Sequence, residues 1–344
     1  MLWSRALLVM SIEIVLGTAC ARVFIPYFRK LKTGKWDACI GDRFKQDGSE
    51  PKFGGAVIVL PLIVGAMIGL GGLGGELGSD TGLYVKKAAA ALIMSIMLML
   101  LGFCEDYLKD IKKSNVGLKI SVKLALEFVI CLCFLIGLRA FCGEYSTEVL
   151  LPFRLGYINF GFLYYPLMAL GMTAVINAVK VHDCFGGDTK SGADGLCAVT
   201  VMIYSLFFTV YGNIMSNQAL SMIGYVCTAA VGSFLVWGIS PSKIYLDESG
   251  ALLLGGIASS LGIISNLHLL VFMTGLAFVA DGICSLIQYV VYKARKKLVF
   301  KGNSLHSHFK AKEYSDYKII LIFTCMSIVG GAVGIAFAVY RTKL

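Results

Sequence analysis

The sequence predicts an all-α polytopic integral membrane protein of about ten transmembrane helices with both termini extracytoplasmic. Three observations carry that expectation. Of 344 residues, 57% are hydrophobic and 15% charged, with a mean hydropathy of +0.78, a balance outside the range of soluble globular domains. Ten apolar runs are long enough to cross a bilayer, since roughly 30 Å of hydrocarbon takes about 17 to 25 helical residues. Lys and Arg are gathered in alternate loops between those runs.

In chain order the expected spans are Leu2 to Phe28, Phe53 to Leu73, Ala88 to Cys104, Leu118 to Leu138, Tyr157 to Val179, Gly195 to Gly212, Ala219 to Trp237, Gly250 to Leu267, Leu269 to Tyr292 and Ile319 to Tyr340. The first carries Glu13 and lacks a defensible small-residue cleavage site, so it reads as a retained span. The eighth is short and rich in glycine. Odd-numbered loops hold 21 Lys and Arg against 4 in the even-numbered ones, so the positive-inside rule puts the odd loops in the cytoplasm. The net charge of +10 is thereby assigned to topology and anionic membrane lipid; no nucleic acid is expected as a partner. The eleven cysteines are scattered, mostly in apolar segments, with no Cys-x-x-Cys pair or zinc spacing.

Reactive side chains collect on the expected cytoplasmic face. Loop 1 contains "DGSEPKFGG", loop 3 "EDYLKDIKKSNVGLK", loop 5 "NAVKVHDCFGGDTKSGADGL", loop 7 "SPSKIYLDESG" and loop 9 "NSLHSHFKAK". Carboxylates at membrane depth are costly unless paired, hydrated or bound to a cation, so acids at several span ends suggest one shared polar cavity. Asp106, Asp183, Asp194, Asp247 and Glu248 offer hard oxygen ligands for Mg²⁺, while Lys109, Lys123, His306 and His308 offer positive charge for phosphate. Acids for a metal and bases for phosphates fit phosphoryl transfer at a membrane surface. Each feature also has a plain explanation. Glu105 and Asp106 can simply end a span at the headgroups, and Lys123 can pair with Glu127 four residues on. His182 beside Asp183 can be a loop hydrogen bond, and Asp281 inside the ninth span needs a partner that can be structural.

The ordered set "PKFGG", "LGFCEDYLKDIKKSNVGLKISVK", "NAVKVHD…ADGL", "PSKIYLDESGALLLGG", "ADGICSLIQ" and "LHSHF" resembles the polyprenyl-phosphate N-acetylhexosamine-1-phosphate transferases over nearly the whole chain. The nearest branch is the one that acts on the phospho-N-acetylmuramoyl-pentapeptide donor. The resemblance implies a single transmembrane domain over 1–344 with active-site loops at 29–53, 105–118, 180–194, 238–250 and 293–318. It implies Mg²⁺-dependent transfer of phospho-MurNAc-pentapeptide from UDP to undecaprenyl phosphate with release of UMP. The implied partners are undecaprenyl phosphate, a UDP-N-acetylhexosamine donor, expected to be UDP-MurNAc-pentapeptide, and membrane lipid, with a homodimer left open.

Residue by residue, the resemblance implies catalytic roles for Asp106, Glu105, Asp183 and Lys123. It implies substrate binding by Lys109, Asn177, Asp194, Tyr245, His306 and His308, and metal binding by Glu248 and Asp247. Several positions depart from the family pattern. Glu105 replaces the first acid of an Asp-Asp pair, Glu248 replaces the metal aspartate with Asp247 in place of a glycine, and Lys180 stands where a neutral asparagine is expected. Ser307 replaces the middle histidine of three and Gly238 an asparagine, a loop 1 lysine has become Asp47 or is missing, and loop 5 is longer. Two alternatives stay open: transfer of another N-acetylhexosamine-1-phosphate to a polyprenyl phosphate, or a catalytically impaired paralogue that binds lipid phosphate or a nucleoside ligand. An intramembrane aspartyl protease and a transporter fit less well, because the acids sit at span ends and no matching halves with broken helices are evident.

Overall fold

The computed structural model describes residues 2–30, 51–73, 79–110, 117–143, 146–151, 156–183 and 193–342. Of the expected active-site loops, 31–50, 111–116 and 184–192 lie outside the described residues, Asp47 and most of the loop 5 insertion among them. The described chain is helical apart from one hairpin. Its helices are α1 (Leu2–Lys30), α2 (Gly54–Gly71), α3 (Ser79–Asp110), α4 (Ile120–Cys142), α5 (Tyr164–Asp183), α6 (Leu196–Ile214), α7 (Gln218–Gly238), α8 (Asp247–Ile264), α9 (Val271–Thr274), α10 (Leu276–Arg295), α11 (Leu305–Lys310) and α12 (Asp316–Thr342). Strands β1 (Glu148–Leu150) and β2 (Tyr157–Asn159) pair antiparallel, with Val149 opposite Ile158.

Nine of the described helices are long and apolar enough to cross a membrane: α1 to α7, α10 and α12. The remaining expected span, the eighth, is α8, whose residues from Ser249 to Ile264 are all buried. A helix that is apolar on every side belongs inside a bundle, and α8 is enclosed chiefly by α3 and α5, with α2 against its start. The start of α1 and the end of α12 lie at the end of the bundle away from the start of α8. Arg5 packs on Gly72, just past the C-terminal end of α2, whereas the N-terminal end of α2 meets Tyr245 and Leu246. Asp316, opening α12, accepts a hydrogen bond from Ser240, so α12 runs away from that face.

Several boundaries differ from the sequence expectation. The third span continues as helix to Asp110, so Glu105, Asp106 and Lys109 sit on α3, not in a loop. Charged residues continue a helix once protein, not lipid, surrounds its end. The fifth span begins at Tyr164, because Tyr157–Asn159 pairs as β2. The ninth is broken at Gly275 into the short α9 and the longer α10. There the Phe278 ring folds back so that a Cβ at 275 would come within 2.0 Å of it. Beyond the break, α10 exposes Ile283, Leu286, Ile287, Tyr289 and Val290 while burying Ala277, Phe278, Asp281 and Gln288, a one-sided pattern suited to a lipid-facing helix.

The start of α2 is pinned to the start of α8. Gly54 N–H donates to Tyr245 C=O at 2.9 Å and Tyr245 N–H to Pro51 C=O at 3.0 Å. This crossing lets the ends of α2, α3, α4, α5, α6 and α7 meet around the first turn of α8.

Candidate active site

Asp106, 1% exposed, accepts the Ser249 backbone N–H through Oδ2 at 2.9 Å. Its Oδ1 is buried with no hydrogen-bond partner among the described residues, and the charges of Asp247 and Glu248 lie near enough to act on it. Ser249 is in the first turn of α8, where free backbone N–H groups favour an anionic acceptor. The carboxylate thus stabilises the helix start that carries Glu248.

Glu105, the neighbour of Asp106, belongs to a different set of contacts. Its Oε1 pairs with Lys109 Nζ and its Oε2 with Lys123 Nζ, each at 2.6 Å. Lys123 also donates to Glu248 Oε2. Lys180 Nζ lies 3.0 Å and Lys109 Nζ 3.7 Å from Glu248 Oε1. Three ammonium groups therefore meet at two carboxylates in a partly buried site where water screens charge weakly, with Asp106, Asp247 and Glu127 close enough to act on the same groups. Lys123 does not pair with Glu127, its neighbour one turn on. Glu127 Oε2 instead accepts from Asn177 Nδ2 at 2.6 Å, and Asn177 also donates to Thr173 C=O at 2.9 Å. Asn177 is thereby held three residues before Lys180 on the same helix.

A cleft beside this network is lined by Asp183, Asp194, Gly238, Ile244 and Tyr245. Asp194 Oδ2 accepts the Ser242 hydroxyl at 2.9 Å and its N–H at 3.4 Å. Burial pushes the Asp194 carboxyl above the ordinary aspartate range, and the Ser242 bonds oppose that rise. Asp183 feels the charges of Asp247, Glu248 and Asp194. Asp247 pairs with Lys52 at 3.4 Å.

His306 joins a separate buried cluster. Its Nδ1 and that of His182 each lie 2.5 Å from Asp281 Oδ2, and Asp281 Oδ1 accepts the His306 backbone N–H at 3.0 Å. All three side chains are 1% exposed or less. Asp281 thus has its partners, and His182 bonds across to α10 and not to Asp183. These three residues could hold a metal ion by type and spacing; as they stand, the Nδ1 atoms of both imidazoles are turned onto Asp281 Oδ2. His308 is not in this cluster: its Nδ1 accepts the Lys301 N–H at 3.1 Å, and its ring lies near those of Phe300 and Phe309.

The structure brings Glu105, Lys109, Lys123 and Glu248 into one network and places Asp106, Asp183, Asp194, Asp247 and Tyr245 around it. Asn177 is one step behind. Lys180, Ser242 and Lys52 are additions. Lys180 was visible in the sequence as a cation in place of an amide, and its spacing from Asn177 puts both toward α4; Lys52 and Ser242 lay within the motifs "PKFGG" and "PSKIYLDESG" without a role assigned to them. The Mg²⁺ that the family pattern implies does not fit on Glu248 as its side chain stands, because lysines occupy both of its oxygens, and Asp247 is engaged by Lys52.

Residues 88–266 match the model of glycosyl transferase family 4. Over nearly its whole length the chain is similar to proteins named phospho-N-acetylmuramoyl-pentapeptide-transferase. It is 27% identical to that of Halalkalibacterium halodurans, with 98% of each chain covered, and 28% identical to that of Shouchella clausii, with the same coverage. Identity to the Bacillus mycoides protein is 29%, over 99% of this chain and 100% of the relative. The family match spans just over half of the sequence and runs from α3 through α8, the helices that bear the acids and lysines of the cleft. The chain belongs to glycosyl transferase family 4.

Proposed function

We propose that the protein transfers phospho-MurNAc-pentapeptide from its UDP donor to undecaprenyl phosphate, giving the lipid-linked product and UMP, with the cleft on the cytoplasmic face. A phosphate oxygen of the lipid attacks the sugar-bearing phosphorus of the donor. The bond to the bridging oxygen of the diphosphate breaks, and UMP leaves with the electron pair. Catalysis of such a step is mostly positioning and charge stabilisation.

The residues of this chain suit those tasks. Lys109 and Lys180, both partly exposed, present ammonium groups to the donor diphosphate, and the buried Lys123 ties them to Glu105 and Glu248. Asp106, with one carboxylate oxygen fixed by Ser249 and the other free of hydrogen bonds among the described residues, is placed to take the proton of the acceptor phosphate. Asp183, Asp194 and Tyr245 line the cleft that would take the nucleoside. The exposed apolar face of α10 suits a long lipid chain arriving from the bilayer. The observation that carries the reading is the meeting of Glu105 and Glu248 with three lysines at the first turn of a buried helix whose Ser249 N–H is held by Asp106, in a chain of this family.

Purified protein given UDP-MurNAc-pentapeptide, undecaprenyl phosphate and Mg²⁺ should release UMP, and Asp106→Asn should lower the rate by about 10²-fold or more. Release with another UDP-N-acetylhexosamine alone would reassign the donor. No release with any of them would overturn the transferase reading.

A further inference from the structure

Metal-dependent phosphoryl transfer places a divalent cation on carboxylate oxygens beside the diphosphate. We propose that in this protein the Lys180 ammonium occupies that place on Glu248, so that the carboxylate carries a fixed lysine counter-charge and binds no divalent cation. The inference deepens the transferase reading by naming what balances charge at the donor site, and it can be measured without turnover.

Four observations support it. Both oxygens of Glu248 are engaged, Oε2 by Lys123 and Oε1 by Lys180 at 3.0 Å, with Lys109 at 3.7 Å. A Mg²⁺ ion would need to lie about 2.1 Å from one of those oxygens, and so in the space that the ammonium groups of Lys123 and Lys180 already take. Lys180 is held in place: it stands in the last turn of α5, where a cation is favoured by the helix dipole, one turn past Asn177, which is tied to Glu127. The Lys123 side chain is 5% exposed whereas that of Lys180 is 26% exposed, so Lys180 remains within reach of a phosphate in the cleft while Lys123 is committed to the interior. The sequence pattern agrees, because a lysine stands at a position where the resembled family has a neutral amide that adds no positive charge beside the metal carboxylate.

The alternative is that Lys180 merely rests on Glu248 and yields to a metal when one is supplied. Mn²⁺, which reports its own binding by electron paramagnetic resonance, separates the two when titrated into the full-length protein in detergent. The wild-type protein and Glu248→Gln should bind Mn²⁺ alike, since Glu248 contributes nothing. Lys180→Asn should gain a Mn²⁺ site at least tenfold tighter than any in the wild type, and Lys180→Asn/Glu248→Gln should lose it. Wild-type Mn²⁺ binding that Glu248→Gln abolishes would overturn the proposal, as would a folded Lys180→Asn protein with no added site. The comparison of wild type with Glu248→Gln stands even if the Lys180 variant fails to fold. Absence of UMP release would count against the transferase reading and leave the Mn²⁺ result to decide this one.

Discussion

Gly102 on α3 lies directly against the backbone of Glu248 on α8: a Cβ at 102 would stand 2.5 Å from the Glu248 carbonyl oxygen and 2.7 Å from Ser249 Cα. That approach lets Asp106, four residues further along α3, reach the Ser249 N–H. It also brings Glu105 and Glu248 to one lysine. Gly102→Ala should therefore push the two helix ends apart. The expected outcome is a loss of about 1–3 kcal/mol of stability, typical of overpacking, and a fall in transferase rate of more than tenfold. Thermal unfolding in detergent and UMP release check it; a variant unchanged in both would show that the contact is unimportant.

Asp281 joins α5, α10 and α11 through two histidines on one oxygen. Asp281→Asn keeps the shape but removes the charge from a buried cluster, where breaking such a set of bonds costs about 2–4 kcal/mol. Its melting temperature should fall clearly. A melting curve that matches the wild type would mean that the two histidines are held by their packing instead.

The Asp194 carboxyl has its pKa raised by burial, so folding favours its protonated form. Its contribution to stability is present below the unfolded-state value of about 3.9 and is lost as pH rises through the higher folded-state value. Asp194→Asn retains an oxygen for Ser242 and cannot ionise. It should be more stable than wild type at neutral pH, and the difference should vanish in acid. Melting temperatures compared across that range test the sign.

Glu13 is 0% exposed, packs on Gly65, and neither of its carboxyl oxygens has a hydrogen-bond partner among the described residues. Such a group is costly at membrane depth. Glu13→Met, of similar length, should raise stability by about 1–2 kcal/mol. A lower melting temperature would reveal a partner for the carboxyl.

Much of the architecture was legible because it is written in composition and run length. Apolar segments must bury their backbone polar groups as helices in lipid, and that requirement depends on local sequence alone. The short spans were harder. α8 was the least secure from its glycines, and those glycines belong to its close packing inside the bundle. The break at Gly275 escaped notice because the apolar run passes through it uninterrupted.

For the site, the sequence by itself determined which reactive residues exist and that they lie at span ends facing one side, since charge asymmetry and hydropathy are local quantities. Only the tertiary structure decided how they are partnered. It separated Glu105 from Asp106 although they are adjacent, drew Lys123 away from Glu127 to Glu105 and Glu248, set Lys180 on Glu248, and kept His308 apart from His306. Those choices depend on where the ends of different helices meet, and distances between residues more than a hundred positions apart are set by packing around α8, which no single stretch of the chain encodes.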